Sequence, residues 1–181
     1  MFKDDIEKIL FTEEQISVRV KELGKQITHD YADGDVTLIC LLNGAATFMT
    51  DLARAIALPV YYEFMSVSSY GKQAVSSGNV RIIKDVTKDI LKRDVIIVED
   101  IVDTGLTLDY IYRVLQQRGP KSLKVCTFLD KKEARKINVN IDYVGFSVPD
   151  EFIVGYGLDY AQKYRNLPYV GILKKNIYNK E

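Results

Sequence analysis

The sequence predicts an α/β domain with a mostly parallel central sheet flanked by helices, and three features carry that expectation. Residues 36–42, 95–98 and 124–129 are short apolar runs rich in β-branched side chains, the pattern of strands buried on both faces. The first two lead through small residues into an amphipathic stretch with helical spacing, as strand-helix-strand units with right-handed crossovers require. The chain has 181 residues and 47% hydrophobic content, enough for one substantial core, with no linker-like tract, repeat or low-complexity segment to divide it.

Taken in order, the first secure element is a surface helix. Thr12-Glu13-Glu14-Gln15 is a capping-box pattern, and Ile16, Val20, Leu23, Ile27 and Tyr31 follow at helical spacing until Asp33-Gly34-Asp35. His29 near its end reads as solvated. The strand at 36–42 turns at Asn43-Gly44-Ala45-Ala46 into a helix with Phe48, Met49, Leu52 and Ile56 on one side. Residues 59–67 and 80–86 read as two strands of a β-ribbon. The small and polar stretch 68–79 between them reads as a mobile loop.

The run at 95–98 enters Glu99-Asp100, and Asp103-Thr104-Gly105-Leu106-Thr107 opens the next helix, with Leu108, Ile111, Val114 and Leu115 as its inner stripe and Gly119-Pro120 as its stop. After the strand at 124–129 comes a charge run, 130–136. Strand candidates at 143–148, 152–155 and 169–173 complete the chain. Ligands on parallel sheets bind beyond the strands' carboxyl ends, where the turns after Leu42 and Val98 both lie.

Twenty-five basic residues balance twenty-five acidic ones, so no overall field favours nucleic acid or an anionic membrane. No apolar run approaches a membrane span, and a cytoplasmic protein is expected. Cys40 and Cys126 sit in apolar runs and read as buried free thiols. The turn at 103–107 offers backbone N–H groups and two hydroxyls to a phosphate. Carboxylates repel such a ligand unless they hold ribose hydroxyls, a metal ion or a proton, and the residues alone leave these alternatives open.

The stretch Val98-Glu99-Asp100-Ile101-Val102-Asp103-Thr104-Gly105-Leu106-Thr107 resembles the phosphoribosyl pyrophosphate (PRPP) motif of type I phosphoribosyltransferases, in the form found in hypoxanthine-guanine phosphoribosyltransferases. The resemblance extends through Leu41-Leu42-Asn43-Gly44, Ser69-Tyr70, residues 148–160 and Tyr164-Arg165-Asn166-Leu167, and so covers essentially the whole chain. It implies one domain over 1–181 with the type I phosphoribosyltransferase fold. A small hood would come from 1–12 and 149–181, and a flexible ribbon lid from 66–82. It also implies transfer of a phosphoribosyl group to hypoxanthine or guanine, giving IMP or GMP and pyrophosphate, with Mg²⁺ as cofactor.

By that resemblance Asp103 is the general base and, with Thr104, Gly105, Leu106 and Thr107, cradles the 5′-phosphate. Glu99 and Asp100 bind the ribose directly or through a metal-bound water. Asn43, Gly44 and Arg165 meet pyrophosphate, with a cis peptide expected before Gly44. Many members carry Lys where this chain has Asn43. Lys131 donates to the purine 6-oxo group, Phe152 stacks on the base, the Ile153 backbone reads its edge, and Asp159 lies beside it. Glu99, Asp100 and Asp159 form the implied metal set, and Ser69 and Tyr70 belong to the lid. The implied partners are PRPP, 6-oxopurines and the nucleotide products, in a homodimer or homotetramer. A xanthine-preferring transferase and a PRPP-sensing regulator that grips DNA or RNA are the competing readings.

Overall fold

The computed structural model describes residues 3–32, 34–69 and 80–179. Its elements in chain order are β1 (Ile6–Phe11), α1 (Glu13–Asp30), β2 (Val36–Leu42), α2 (Ala45–Ala55), β3 (Val60–Ser69), β4 (Val80–Lys84), β5 (Asp94–Val102), α3 (Leu106–Gln116), β6 (Ser122–Asp130), β7 (Tyr143–Ser147), β8 (Ile153–Val154), β9 (Val170–Leu173) and α4 (Lys175–Tyr178). The capping box is formed as expected. Gln15 N–H donates to Thr12 Oγ1 at 3.3 Å, and Thr12 N–H donates to Gln15 Oε1 at 2.9 Å.

Six strands make the main sheet in the order β4-β3-β2-β5-β6-β7, with only β4 antiparallel to its neighbour. Alternate residues of the central strands feed two cores. Leu38, Cys40, Ile96 and Val98 pack with Phe48, Met49 and Leu52 of α2 and the apolar side of α1. Ile39, Leu41, Val95 and Ile97 pack with Leu108, Ile111 and Leu115 of α3 on the other face. That double burial is why both strands read as continuous apolar runs rather than alternating ones.

The chain leaves β2 toward β3 on one side and returns as β5 on the other, so the strand order reverses between β2 and β5. Crevices of this kind, outside the carboxyl ends of the strands, are where open α/β sheets hold ligands. A second, antiparallel sheet of order β1-β9-β8 encloses a small apolar cluster of Ile6, Val154, Tyr164 and Leu173. It pairs β1 with β9, bringing residues 6–11 beside residues 170–173.

Two sequence expectations change here. β5 does not stop at Val98 but runs to Val102, so both acids belong to the strand. Residues 6–11, which gave no secure signal alone, form β1 because β9 pairs with them. The ribbon of β3 and β4 is present, with Ser69 opposite Val80. Tyr70 and most of the loop between them lie outside the described residues. Both cysteines are free and buried, and His29 is exposed.

Candidate active site

β5 delivers Glu99 and Asp100 to the crevice in a locally altered strand. Asp100 N–H donates to Glu99 Oε1 at 3.3 Å, and Ile101 N–H donates to Asp100 Oδ1 at 2.8 Å. Each carboxylate thus accepts from the backbone N–H that follows it, and the two neighbouring acids line different cavities. Glu99 lines a cavity of about 160 Å³ with Asp103, Thr104, Gly105 and Thr107. Asp100 lines a second, of about 220 Å³, with Lys131, Phe152, Ile153 and Asp159. Ile101 and Asp103 line both.

The first cavity is a cradle of backbone. Gly105 takes φ 83°, a conformation costly for other L-residues, and starts α3. Thr104 Oγ1 accepts from Leu106 N–H at 3.4 Å. Among the described residues, the N–H groups of Thr104 and Gly105 have no hydrogen-bond partner. Open N–H groups at a helix start suit an anion.

In the second cavity, Lys131 is buried, and its ammonium donates to the Glu151 carbonyl at 3.0 Å and lies 3.3 Å from Asp150 Oδ1. A lysine so held is pre-oriented and retains a donor for a ligand. The Phe152 ring stacks on Tyr178 with centroids 4.8 Å apart and meets Tyr160 edge-on at 5.4 Å. Ile153 is buried in β8.

The turn after β2 comes against the same acids. Gly44 is buried, and a methyl group there would overlap the Asp100 carboxylate. Gly157 abuts the Gly44 carbonyl, whose oxygen a methyl group added there would overlap. Asn43 is exposed. The one cis peptide among the described residues joins Leu42 to Asn43, so the cis bond expected before Gly44 lies one peptide earlier.

Arg165 donates to the Gly157 carbonyl at 2.7 Å and pairs with Asp159 at 2.8 Å, while Asp159 Oδ2 accepts from Gln162 N–H at 2.8 Å. Asp159 is therefore occupied by protein groups. Among the described residues no three His, Cys, Asp or Glu side chains gather as a metal cluster, so the expected set of Glu99, Asp100 and Asp159 is not assembled. Ser69 ends β3, and the expected lid residue Tyr70 lies outside the described residues.

Electrostatics single out the centre. None of the ion pairs among the described residues involves Glu99, Asp100 or Asp103. Burial, and then the neighbouring Asp100 charge, push the Glu99 carboxyl well above the usual carboxylate range. Two adjacent acids with no cation beside them are a standing cost to the fold, and such a cost is common where a ligand supplies the missing charge.

Residues 8–161 match the family model described as a phosphoribosyl transferase domain. The chain is 52% identical to the hypoxanthine-guanine phosphoribosyltransferase of Mycobacterium tuberculosis strain H37Rv, over 98% of this chain and 91% of that protein. It is 51% identical to the enzyme of the same name from Bacillus subtilis, over 98% and 99%. The chain belongs to the hypoxanthine-guanine phosphoribosyltransferase family.

A solved hypoxanthine phosphoribosyltransferase from Staphylococcus aureus superposes with a TM-score of 0.95 at 46% identity, covering 98% of this chain and 96% of that one. The fold expected from the motif is thereby established for this phosphoribosyltransferase, including the mostly parallel sheet. One larger cavity, of about 630 Å³, lies between α1, α2 and residues 165–168. Of the residues given a role in binding or catalysis from the sequence, Arg165 alone lines it. Asp130 and Arg135, which share the 130–136 charge run with Lys131 and have no role by the resemblance, meet behind the cradle.

Proposed function

We propose that the chain transfers the phosphoribosyl group of PRPP to hypoxanthine or guanine, releasing pyrophosphate and forming IMP or GMP. The observation that carries this is the position of Asp103, shared by the backbone cradle and the cavity around Lys131 and Phe152. A carboxylate there lies between a sugar-phosphate site and a base site, where a proton must leave the purine as its ring nitrogen bonds to the ribose carbon. Asp103 accepts that proton. The open N–H groups at Thr104 and Gly105, with the hydroxyls of Thr104 and Thr107, hold the 5′-phosphate.

Lys131 donates to the 6-oxo group. An adenine amino group would instead confront a donor with a donor, and the lost hydrogen bond discriminates against it. Phe152 and the Ile153 backbone bind the base. Gly44, Asn43 and Arg165 receive pyrophosphate, Asn43 through its uncharged amide and the loop backbone.

Glu99 and Asp100 fit Mg²⁺, because they offer adjacent hard oxygen donors with no cationic partner among the described residues. The two carboxylates would hold the ion, which would supply positive charge to the departing diphosphate. The acids also hold the ribose hydroxyls. The protein acts in the cytoplasm as a homodimer or homotetramer; the exposed Tyr61 and Tyr62 of β3 offer surface for such contacts, and light scattering on purified protein measures the assembly.

Incubation with Mg²⁺, PRPP and each of hypoxanthine, guanine, xanthine and adenine tests the substrate class. Asp103→Asn is expected to lower kcat about 100-fold while PRPP binding stays near that of the wild type. Wild-type turnover in the variant removes Asp103 from the base role.

A further inference from the structure

Behind the cradle lies a buried charged pair that the proposed chemistry does not use. Asp130 ends β6 in register with Val102 of β5, and its side chain is 4% exposed. Five residues later, after a 3₁₀ turn at Lys132–Ala134, Arg135 folds back and its guanidinium meets the Asp130 carboxylate. Arg135 also reaches the loop backbone. Its Nε donates to the Asp103 carbonyl at 3.1 Å, and one terminal nitrogen donates to the Val102 carbonyl at 3.5 Å.

The main chain follows the same course. Lys131 N–H donates to the Val102 carbonyl at 3.0 Å, and the N–H groups of Lys136 and Ile137 donate to the Thr104 carbonyl at 3.0 and 3.2 Å. Three consecutive carbonyls, 102 to 104, are thus held by residues 131–137. In a trans peptide the following N–H points opposite to the carbonyl. Fixing the carbonyls of Asp103 and Thr104 on one side therefore turns the N–H groups of Thr104 and Gly105 to the other, where they have no partner among the described residues.

A buried ion pair is poor evidence of a stability role, since desolvation offsets much of its attraction. Its spare donors, however, go to the one loop whose peptide directions matter. We propose that Arg135, anchored by Asp130, is a positioning residue that sets the peptide orientation of the 103–105 cradle and the backbone that carries Asp103. This rests on the reading of that cradle as the 5′-phosphate site. A planar fork reaches a carboxylate and a neighbouring carbonyl together, which a lysine ammonium does poorly.

The test compares wild type, Arg135→Met, Arg135→Lys and Asp130→Asn in steady-state assays with PRPP and hypoxanthine, alongside melting temperatures. Arg135→Met, which keeps the apolar stem, is expected to raise the KM for PRPP about tenfold or more. The KM for hypoxanthine stays within about twofold, because the Lys131 ammonium is held through the Glu151 carbonyl and the Phe152 ring against Tyr178, contacts that Arg135 does not share. Arg135→Lys falls between, and guanidinium ion at a non-denaturing concentration lowers the PRPP KM of Arg135→Met.

The proposal is overturned if PRPP KM is unchanged in Arg135→Met. It is equally overturned if both KM values rise together with a loss of melting temperature and guanidinium has no effect, since that is a structural role. Should Arg135→Met fail to fold, Arg135→Lys and Asp130→Asn carry the same comparison, with a selective rise in PRPP KM expected and its absence decisive against the idea. Absence of wild-type turnover would instead sink the underlying reading, so the two failures are distinguishable.

Discussion

Replacing Gly105 with alanine adds one methyl group at the start of α3, and the structure sets the size of the effect. Gly105 has φ 83°, and an L-residue held in that left-handed region costs about 1–2 kcal/mol. The new Cβ would also lie 2.9 Å from the Ile137 carbonyl oxygen and 3.1 Å from Arg135 Cδ. The first neighbour is backbone already committed to the cradle, so the segment must shift, at a further cost of about 1–2 kcal/mol. The total, about 2–4 kcal/mol, corresponds to a melting temperature lowered by about 5–12 °C in a chain of this length.

Gly34→Ala is the control, because its nearest neighbour, the Tyr31 carbonyl oxygen, is 3.4 Å away and its φ is not in the left-handed region. Differential scanning calorimetry of both variants, with PRPP KM measured in parallel, reads the outcome. Gly105→Ala should melt early and bind PRPP weakly, whereas Gly34→Ala stays near wild type. A Gly105→Ala protein that melts with the wild type and keeps its PRPP KM would refute the account of the cradle as a tightly braced turn.

Two further outcomes follow from the same geometry. Because burial and Asp100 raise the Glu99 carboxyl pKa in the folded state, the folded protein binds that proton more tightly than the unfolded chain, and the stability contribution of Glu99 falls as pH rises above its unfolded pKa of about 4.3. Glu99→Gln stays neutral, so without metal or ligand it should melt above wild type at neutral pH and level with it near about pH 4; equal melting at neutral pH would count against the buried-charge argument. Lys131→Met removes the buried ammonium held by Glu151 and Asp150, and kcat/KM for hypoxanthine is expected to fall about 10–100-fold while the trace rate with adenine does not fall, narrowing the ratio. An unchanged hypoxanthine rate would remove Lys131 from base recognition.

The share of this protein legible in the sequence is the share that neighbours in the chain specify. β2, β5 and β6 were readable because strands buried on both faces must be continuously apolar, and α1 because its cap and its stripe are local patterns. The cradle was readable for the same reason: Asp103 to Thr107 is one unbroken turn, and its chemistry lies in its own backbone and hydroxyls. β1 was not, since six residues of mixed polarity become a strand only when β9 pairs with them.

Everything that depends on residues far apart was decided by the tertiary structure. Reversal of strand order between β2 and β5 brings Gly44 against Asp100, and the second cavity then joins β5, Lys131 after β6 and the 151–159 segment. Asp159 is engaged by Arg165 and the Gln162 N–H, and Arg135, unremarkable within a charge run, returns to Asp130 and the cradle carbonyls. The physical reason is one of range. Hydrophobic periodicity, caps and turn chemistry act over a few residues and can be read along the chain, whereas the partner of a charged side chain is set by which strands lie side by side, and no local pattern encodes that order.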